Sequence, residues 1–262
     1  MVGLGFNKVM VGLVLTVIFC NRMTAQDVSF QLDSFRNWNI VLGSVVYDRA
    51  TVYSDSGPFE FKPKNMLGYN VGINYYFPTF SKWAVSTGLI IALEPGYRFD
   101  TFIKKEDAFP QFTEDLGGPT FAYSATSFSI PILVHYKIRD YEKFNIDLFS
   151  GLKAMYFPSG YLEFVESVAN RTQSIGKEVF GLYLDSPDNY IQGSFIFGAG
   201  VELHKKRLWK MNISRVVNFQ NILEGQYLTK NLNITPLSEG KYKLSGNYWG
   251  ILFSVGLKKK NS

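Results

Sequence analysis

Apolar and polar side chains alternate along GYNVGINYYF, the segment from Gly68 to Phe77. The apolar positions are Tyr69, Val71, Ile73 and Tyr75, and the positions between them are Gly68, Asn70, Gly72 and Asn74. A period of two predicts a β-strand with two unlike faces. The second face contains only glycine and asparagine, without the Lys and Glu that are usual on a soluble protein's surface. The class of the protein therefore depends on which face points inward.

Seven further segments show a similar alternation, which is least regular in the first of them. They are residues 38–47, 83–99, 127–137, 144–157, 192–204, 209–214 and 247–257. Phe149 and Met155 interrupt the pattern in the segment 144–157. Because no segment after residue 26 has a helical period of comparable quality, the sequence predicts an all-β fold of eight strands.

The links between these strands alternate strictly between short and long. FPTFSK, IRDYEK and HKKRL are the short links, whereas the long links cover roughly 51–65, 100–120, 158–188 and 220–242 and are expected to be loops. Bacterial outer-membrane barrels place short turns in the periplasm and long loops outside. The sequence therefore predicts an eight-stranded antiparallel transmembrane β-barrel with short periplasmic turns and long extracellular loops. Apolar faces would meet lipid, and the small and polar faces would fill a narrow lumen.

Aromatic residues occur where the two membrane interfaces are expected. Trp38, Trp83 and Trp209 each lie at the start of an ascending strand, which predicts an aromatic girdle at the periplasmic interface. The residues predicted near the opposite rim are Tyr97, Phe99, Phe121, Tyr123, Tyr156, Phe157 and Phe219.

The first residues have the pattern of a secretory signal peptide, with Lys8, an apolar stretch and small residues in MTAQD. We expect a signal peptide at 1–25 and one outer-membrane barrel domain at 26–262. Removing residues 1–25 removes Cys20, and the bulky Phe19 before it argues against a lipid-anchored cysteine. The net charge falls from +5 to near +3 when Lys8 and Arg22 are lost, too little to indicate a nucleic-acid partner.

Three segments resemble the outer-membrane β-barrel family that is common in Bacteroidetes and includes the PorT-like proteins. They are SFSIPILVHYKI with its central proline, FGAGVEL and WAVSTGLIIALEPGYRF. The resemblance implies a location in the bacterial outer membrane and, for PorT-like members, an association with secretion through the type nine system. The ending LKKKNS departs from typical barrels, whose last strand finishes on an aromatic residue.

Candidate chemistry is sparse. His135 and His204 are the two histidines, and both are predicted on the lumen face near the periplasmic end, far from outer-leaflet lipid. We therefore expect a non-enzymatic structural, binding or secretion-associated protein with no catalytic residues, metal or cofactor. The alternatives are a lipid-modifying enzyme, of the lipid A deacylase or acyltransferase type, and a soluble lipocalin-like carrier, which would need an apolar interior.

Charged lumen positions cluster at one predicted depth. His135, Asp147, Glu202 and Lys210 could form an ion-pair network at the barrel floor, acting as a plug or gate or simply compensating charge. We expect a monomeric barrel surrounded by outer-membrane lipid and lipopolysaccharide. Loop 158–188 mixes apolar and charged residues and is the expected surface for a protein partner.

Overall fold

The computed structural model describes residues 38–56, 62–77, 82–107, 115–141, 144–158, 163–170, 177–186, 191–204, 208–233 and 237–257. These residues contain fourteen strands and one short 3-10 helix, Lys105–Asp107. The strands are β1 (Trp38–Tyr47), β2 (Thr51–Ser56), β3 (Lys62–Pro63), β4 (Met66–Phe77), β5 (Trp83–Ile103), β6 (Leu116–Asp140), β7 (Phe144–Tyr156), β8 (Glu163–Asn170), β9 (Lys177–Asp185), β10 (Ile191–His204), β11 (Leu208–Asn218), β12 (Leu223–Thr229), β13 (Glu239–Leu244) and β14 (Tyr248–Gly256). The predicted signal peptide at 1–25 lies outside the described residues and stays a prediction.

Eight antiparallel strands close into a barrel, and we call them the wall. Around the wall the strands run in the order β1, β4, β5, β6, β7, β10, β11 and β14, and β14 pairs with β1 to complete the circle. The eight wall strands fall within or overlap the eight segments predicted from the sequence. Closure pairs every wall strand on both sides, which a sheet embedded in lipid requires.

The short links all lie at one end of the wall, which we call the turn end. β4 ends at Phe77 and β5 begins at Trp83. The links from β6 to β7 and from β10 to β11 are similarly short, because β6 ends at Asp140 and β7 begins at Phe144, and β10 ends at His204 and β11 begins at Leu208. The other end, the cap end, carries the four long links. The prediction of short turns opposite long connections is therefore confirmed.

The long connections are not simple loops, contrary to the sequence prediction. Segments from three of them form a separate five-stranded sheet in the order β2, β13, β12, β9 and β8, which we call the cap sheet. In the fourth, 100–120, both described ends extend the β5–β6 hairpin, since β5 runs to Ile103 and β6 begins at Leu116. The pairing of β5 with β6 shifts register on both sides of Pro95. Beyond this point, toward the cap end, Tyr97 and Phe99 on β5 pack against buried residues of the cap sheet.

The cap sheet has its own hydrophobic core. Buried side chains come from β5, β9, β12 and β13 and from the segments beside them. Phe180, Leu182, Leu184 and Leu223 are completely buried there. The apolar residues of β9 in loop 158–188 thus pack into a second core at the cap end.

Candidate functional site

The outer face of the wall is apolar on every wall strand. Large apolar side chains at alternate positions are exposed: on β4, for example, Tyr69, Val71 and Ile73 are 59%, 45% and 42% exposed, whereas Asn70 and Asn74 point inward and are buried. This answers the question that GYNVGINYYF raised, because its apolar face is the outer one. A closed sheet with an apolar belt outside is stable in lipid and poorly soluble in water.

The three tryptophans predicted as a girdle all lie on the outer face at the turn end. Trp38, Trp83 and Trp209 are each about half exposed. Trp38 packs against Tyr75 with ring centroids 4.9 Å apart, and Trp83 packs against Tyr136 at 4.7 Å. Their amphipathic rings suit the boundary between hydrocarbon and water.

The aromatic residues predicted at the opposite rim fall into an exposed group and a buried group, with Tyr123 between them: it is half-buried and packs against buried side chains of the wall. Phe121, Tyr156 and Phe219 are exposed, as a girdle requires. Tyr97, Phe99 and Phe157 are buried instead, so their assignment to a girdle was wrong. Tyr97 and Phe99 belong to the cap core, a structure that the spacing of aromatic residues along the sequence does not reveal.

The floor of the lumen contains a compact polar cluster. Lys210 Nζ donates to Asp147 Oδ2 at 2.8 Å, and His135 Nδ1 lies 2.9 Å from the same oxygen. All three side chains are at most 5% exposed. Asp147 therefore lies between two nitrogen donors, and the buried carboxylate is compensated by a neighbouring cation.

Glu202 lies directly opposite Lys210 in the pairing of β10 with β11 and is also buried. The structure thus places all four predicted residues, His135, Asp147, Glu202 and Lys210, in the turn-end half of the lumen. Gly200 makes space for them: a Cβ there would lie 2.5 Å from Asn212 Oδ1 and 2.6 Å from Asp147 Oδ1.

Two members of this cluster were missed by sequence reasoning. Ser86 Oγ lies 2.8 Å from His135 Nε2, and Lys210 Nζ lies 5.3 Å from the centre of the Tyr76 ring. Period two places Ser86 on the lumen face. Its contact with His135 depends on the register of β5 against β6, where Ala84 rather than Ser86 is directly opposite His135, and the sequence does not show that register.

Ser86, His135 and Asp147 have the connectivity of a nucleophilic triad. Their environment opposes that chemistry. Ser86 is 1% exposed and His135 is 2% exposed, so among the described residues the serine oxygen is buried and not accessible to a substrate carbonyl. Asp147 also accepts a hydrogen bond from Lys210. In a nucleophilic triad, the aspartate orients the histidine and needs no such lysine.

Above the floor, side chains fill the lumen. An apolar layer is contributed by seven wall strands, with Val45, Leu133, Phe149 and Val216 among its buried members. Phe149, which interrupts the alternation of apolar residues, therefore points inward as part of this layer. A narrow barrel filled in this way is a packed core rather than an open pore.

Buried polar groups continue toward the cap end. Glu94, 1% exposed, accepts hydrogen bonds from Ser127 Oγ at 2.6 Å and from Tyr47 Oη at 3.2 Å. Lys153 Nζ donates to Tyr248 Oη at 3.3 Å. Sequence alternation placed Glu94 and Lys153 on the lumen face but did not single them out as a site.

The search for metal ligands and spanning helices covers only the described part of the chain. No group of three or more His, Cys, Asp or Glu residues there could hold a metal ion. His204 is the last residue of β10, at the turn end as predicted. Within the described ranges, no helix is long and apolar enough to cross a membrane.

Together, the closed wall, the apolar belt and the tryptophan girdle define an integral β-barrel of the bacterial outer membrane, with its short turns in the periplasm. A soluble lipocalin-like carrier does not fit this wall, because its apolar face would be inside. We therefore place the turn end on the periplasmic side and the cap end outside the cell.

No family model matches the sequence, and no curated protein matches it. Among solved structures, the outer membrane protein OprG from Pseudomonas aeruginosa matches with a TM-score of 0.43 at 12% identity, covering 86% of this chain and 97% of OprG. Ail, the attachment invasion locus protein of Yersinia pestis, matches with a TM-score of 0.27 at 11% identity, covering 84% of this chain and 99% of Ail. These scores are low, so the barrel assignment rests on the strand pairing described above.

Proposed function

We propose that this protein is a non-enzymatic outer-membrane barrel that binds a protein partner through its cap sheet, in a secretion-associated role of the PorT-like kind. The observation that carries the proposal is the folded cap. Three of the long connections build one sheet over a shared core, whereas links that only joined wall strands would need no such core. The filled lumen supports a binding role over a channel.

The exposed face of the cap sheet is a suitable binding surface. Tyr53 on β2 lies opposite Lys241 on β13, Lys241 lies opposite Gln226 on β12, and Gln226 lies opposite Tyr183 on β9. Tyr53 is 53% exposed, and Lys230 Nζ donates to Tyr183 Oη at 3.2 Å. A row of tyrosines and long polar side chains on a rigid sheet offers contact area together with hydrogen bonds.

Site-specific photo-crosslinking in intact cells tests this proposal. A photoreactive residue at Gln226 should give a discrete adduct with a component or cargo of a secretion system. The same residue at Ile130, which is exposed on the outer face of the wall, should give no such adduct. An adduct of equal yield at both positions, or none at Gln226, would contradict a partner on the cap.

A lipid-modifying enzyme is the second candidate, because Ser86, His135 and Asp147 have the connectivity of a triad. The burial of Ser86 and its distance from the outer leaflet argue against it. Mass spectrometry of lipid A decides the matter: cells carrying Ser86→Ala should have the same lipid A as wild type. A lipid A change on deletion that Ser86→Ala reproduces would establish the enzyme instead.

A further inference from the structure

The outer face of the wall contains an open groove of about 640 Å³. Its floor is formed by two small residues that point outward, Ser150 on β7 and Ala199 on β10. They are diagonal neighbours across the β7–β10 pair, because Ser150 is directly opposite Phe197 and Ala199 is directly opposite Leu148. Large side chains, including Trp83, Tyr136, Phe197 and Trp249, line the groove around this floor. The groove is thus a gap in the apolar belt where small side chains replace large ones.

A charged group lies beside the groove toward the cap end. Arg215 on β11 is directly opposite Phe197 and directly opposite Trp249, both of which line the groove. Its guanidinium carbon lies 5.6 Å from the centre of the Trp249 ring. Arg215 also donates through both terminal nitrogens to the two carboxylate oxygens of Asp48.

An arginine on the outer face of a membrane barrel is costly within the hydrocarbon and inexpensive at headgroup level. Arg215 therefore marks the outer-leaflet headgroup region. Arg49, the residue after Asp48 in the chain, is exposed, so Asp48, Arg49 and Arg215 together carry one net positive charge. This end of the groove carries a net positive charge, which is complementary to a lipid phosphate.

We propose that the groove over Ser150 and Ala199 is a binding site for lipid A. One acyl chain lies in the part of the groove between the floor and the cap end, and a phosphate of the headgroup meets Arg215, with Arg49 adding positive charge. In a hydrocarbon environment, the natural occupant of an apolar groove is an acyl chain, and the positive end selects an anionic headgroup of the outer leaflet. The inference rests on the membrane placement of the wall and not on the partner of the cap.

Native mass spectrometry of the full chain in detergent micelles tests the site, with bis-phosphorylated lipid A as the probe. The wild type should retain one lipid A. Ala199→Phe fills the groove and should lower the bound fraction about tenfold. Ala154→Phe is the matched control, because Ala154 is also exposed on β7 but does not line the groove, and it should leave binding unchanged.

Arg215→Gln tests the headgroup contact while keeping the groove floor at Ser150 and Ala199 intact. It should reduce the preference for bis-phosphorylated over dephosphorylated lipid A, and it keeps the proposal testable if Ala199→Phe does not fold. Heat-modifiable migration on gels reports folding of each variant separately from binding. Three results would each overturn the proposal: equal binding by Ala199→Phe and Ala154→Phe, equal retention of phosphatidylglycerol, and a dimer signal that Ala199→Phe abolishes.

Discussion

Replacing Lys210 with methionine should destabilise the barrel strongly, because it leaves Asp147 as a buried carboxylate without its cation. Lys210 and Asp147 are 5% and 3% exposed and are joined by a contact of 2.8 Å. Removing one partner of such a pair costs about 3–5 kcal/mol. His135 still bonds to Asp147, which lowers the cost, but Glu202 also loses the cation opposite it, which raises the cost.

The double variant Lys210→Met/Asp147→Asn removes both charges of the pair and should recover part of that loss, since an asparagine can still accept a hydrogen bond from His135. We expect its stability to lie between those of Lys210→Met and wild type, because the pair is replaced by neutral groups while Glu202 stays buried without the lysine opposite it. Urea unfolding in lipid vesicles, followed by tryptophan fluorescence, measures both variants. Lys241→Met, at an exposed lysine of the cap sheet, is the control and should change stability by less than about 0.5 kcal/mol. A loss for Lys210→Met no larger than that of the control would refute the reasoning.

Three further predictions concern the wall and the cap. Val71→Arg places a charge on the lipid face and should cost about 2–4 kcal/mol near the midplane, whereas Asn70→Ser should have little effect. The yield of folding into lipid vesicles compares the two variants. A larger loss for Asn70→Ser than for Val71→Arg would mean that β4 faces the other way. Phe180→Ala should cost the cap about 3–5 kcal/mol and make it sensitive to protease while the wall stays resistant; loss of wall and cap together would show one cooperative unit. Burial and the neighbouring Tyr97 raise the pKa of Tyr242 above its usual value, so its stabilising contribution is full below a pH of about 10 and is lost as the pH rises further. Protease resistance of the cap should therefore fall as the pH rises above about 10, and less in Tyr242→Phe; an equal fall in both would exclude Tyr242 as the cause.

The wall could be predicted from the sequence because its information is local. In β4, alternation over a few residues decides which side chains meet lipid, and the lengths of the links decide which end of the wall is which. The same alternation placed His135, Asp147, Glu202 and Lys210 on the lumen face.

The cap sheet could not be predicted in this way. Its strands are short, and β9 has Val179 and Phe180 buried side by side, which breaks a period of two. The sheet also pairs segments that are far apart in the chain, such as β2 with β13. The floor cluster was incomplete for a related reason, since the contact of Ser86 with His135 depends on cross-strand register, which alternation does not specify.

Lipid accessibility along β4 tests the central claim most directly. In a chain carrying Cys20→Ser, which leaves no other cysteine, single spin-labelled cysteines at positions 69 to 74 can be measured in bilayers by electron paramagnetic resonance. The membrane barrel predicts high oxygen accessibility at 69, 71 and 73, and low accessibility to both oxygen and a water-soluble relaxing agent at 70 and 74. High accessibility to the water-soluble agent at 69, 71 and 73 would contradict it.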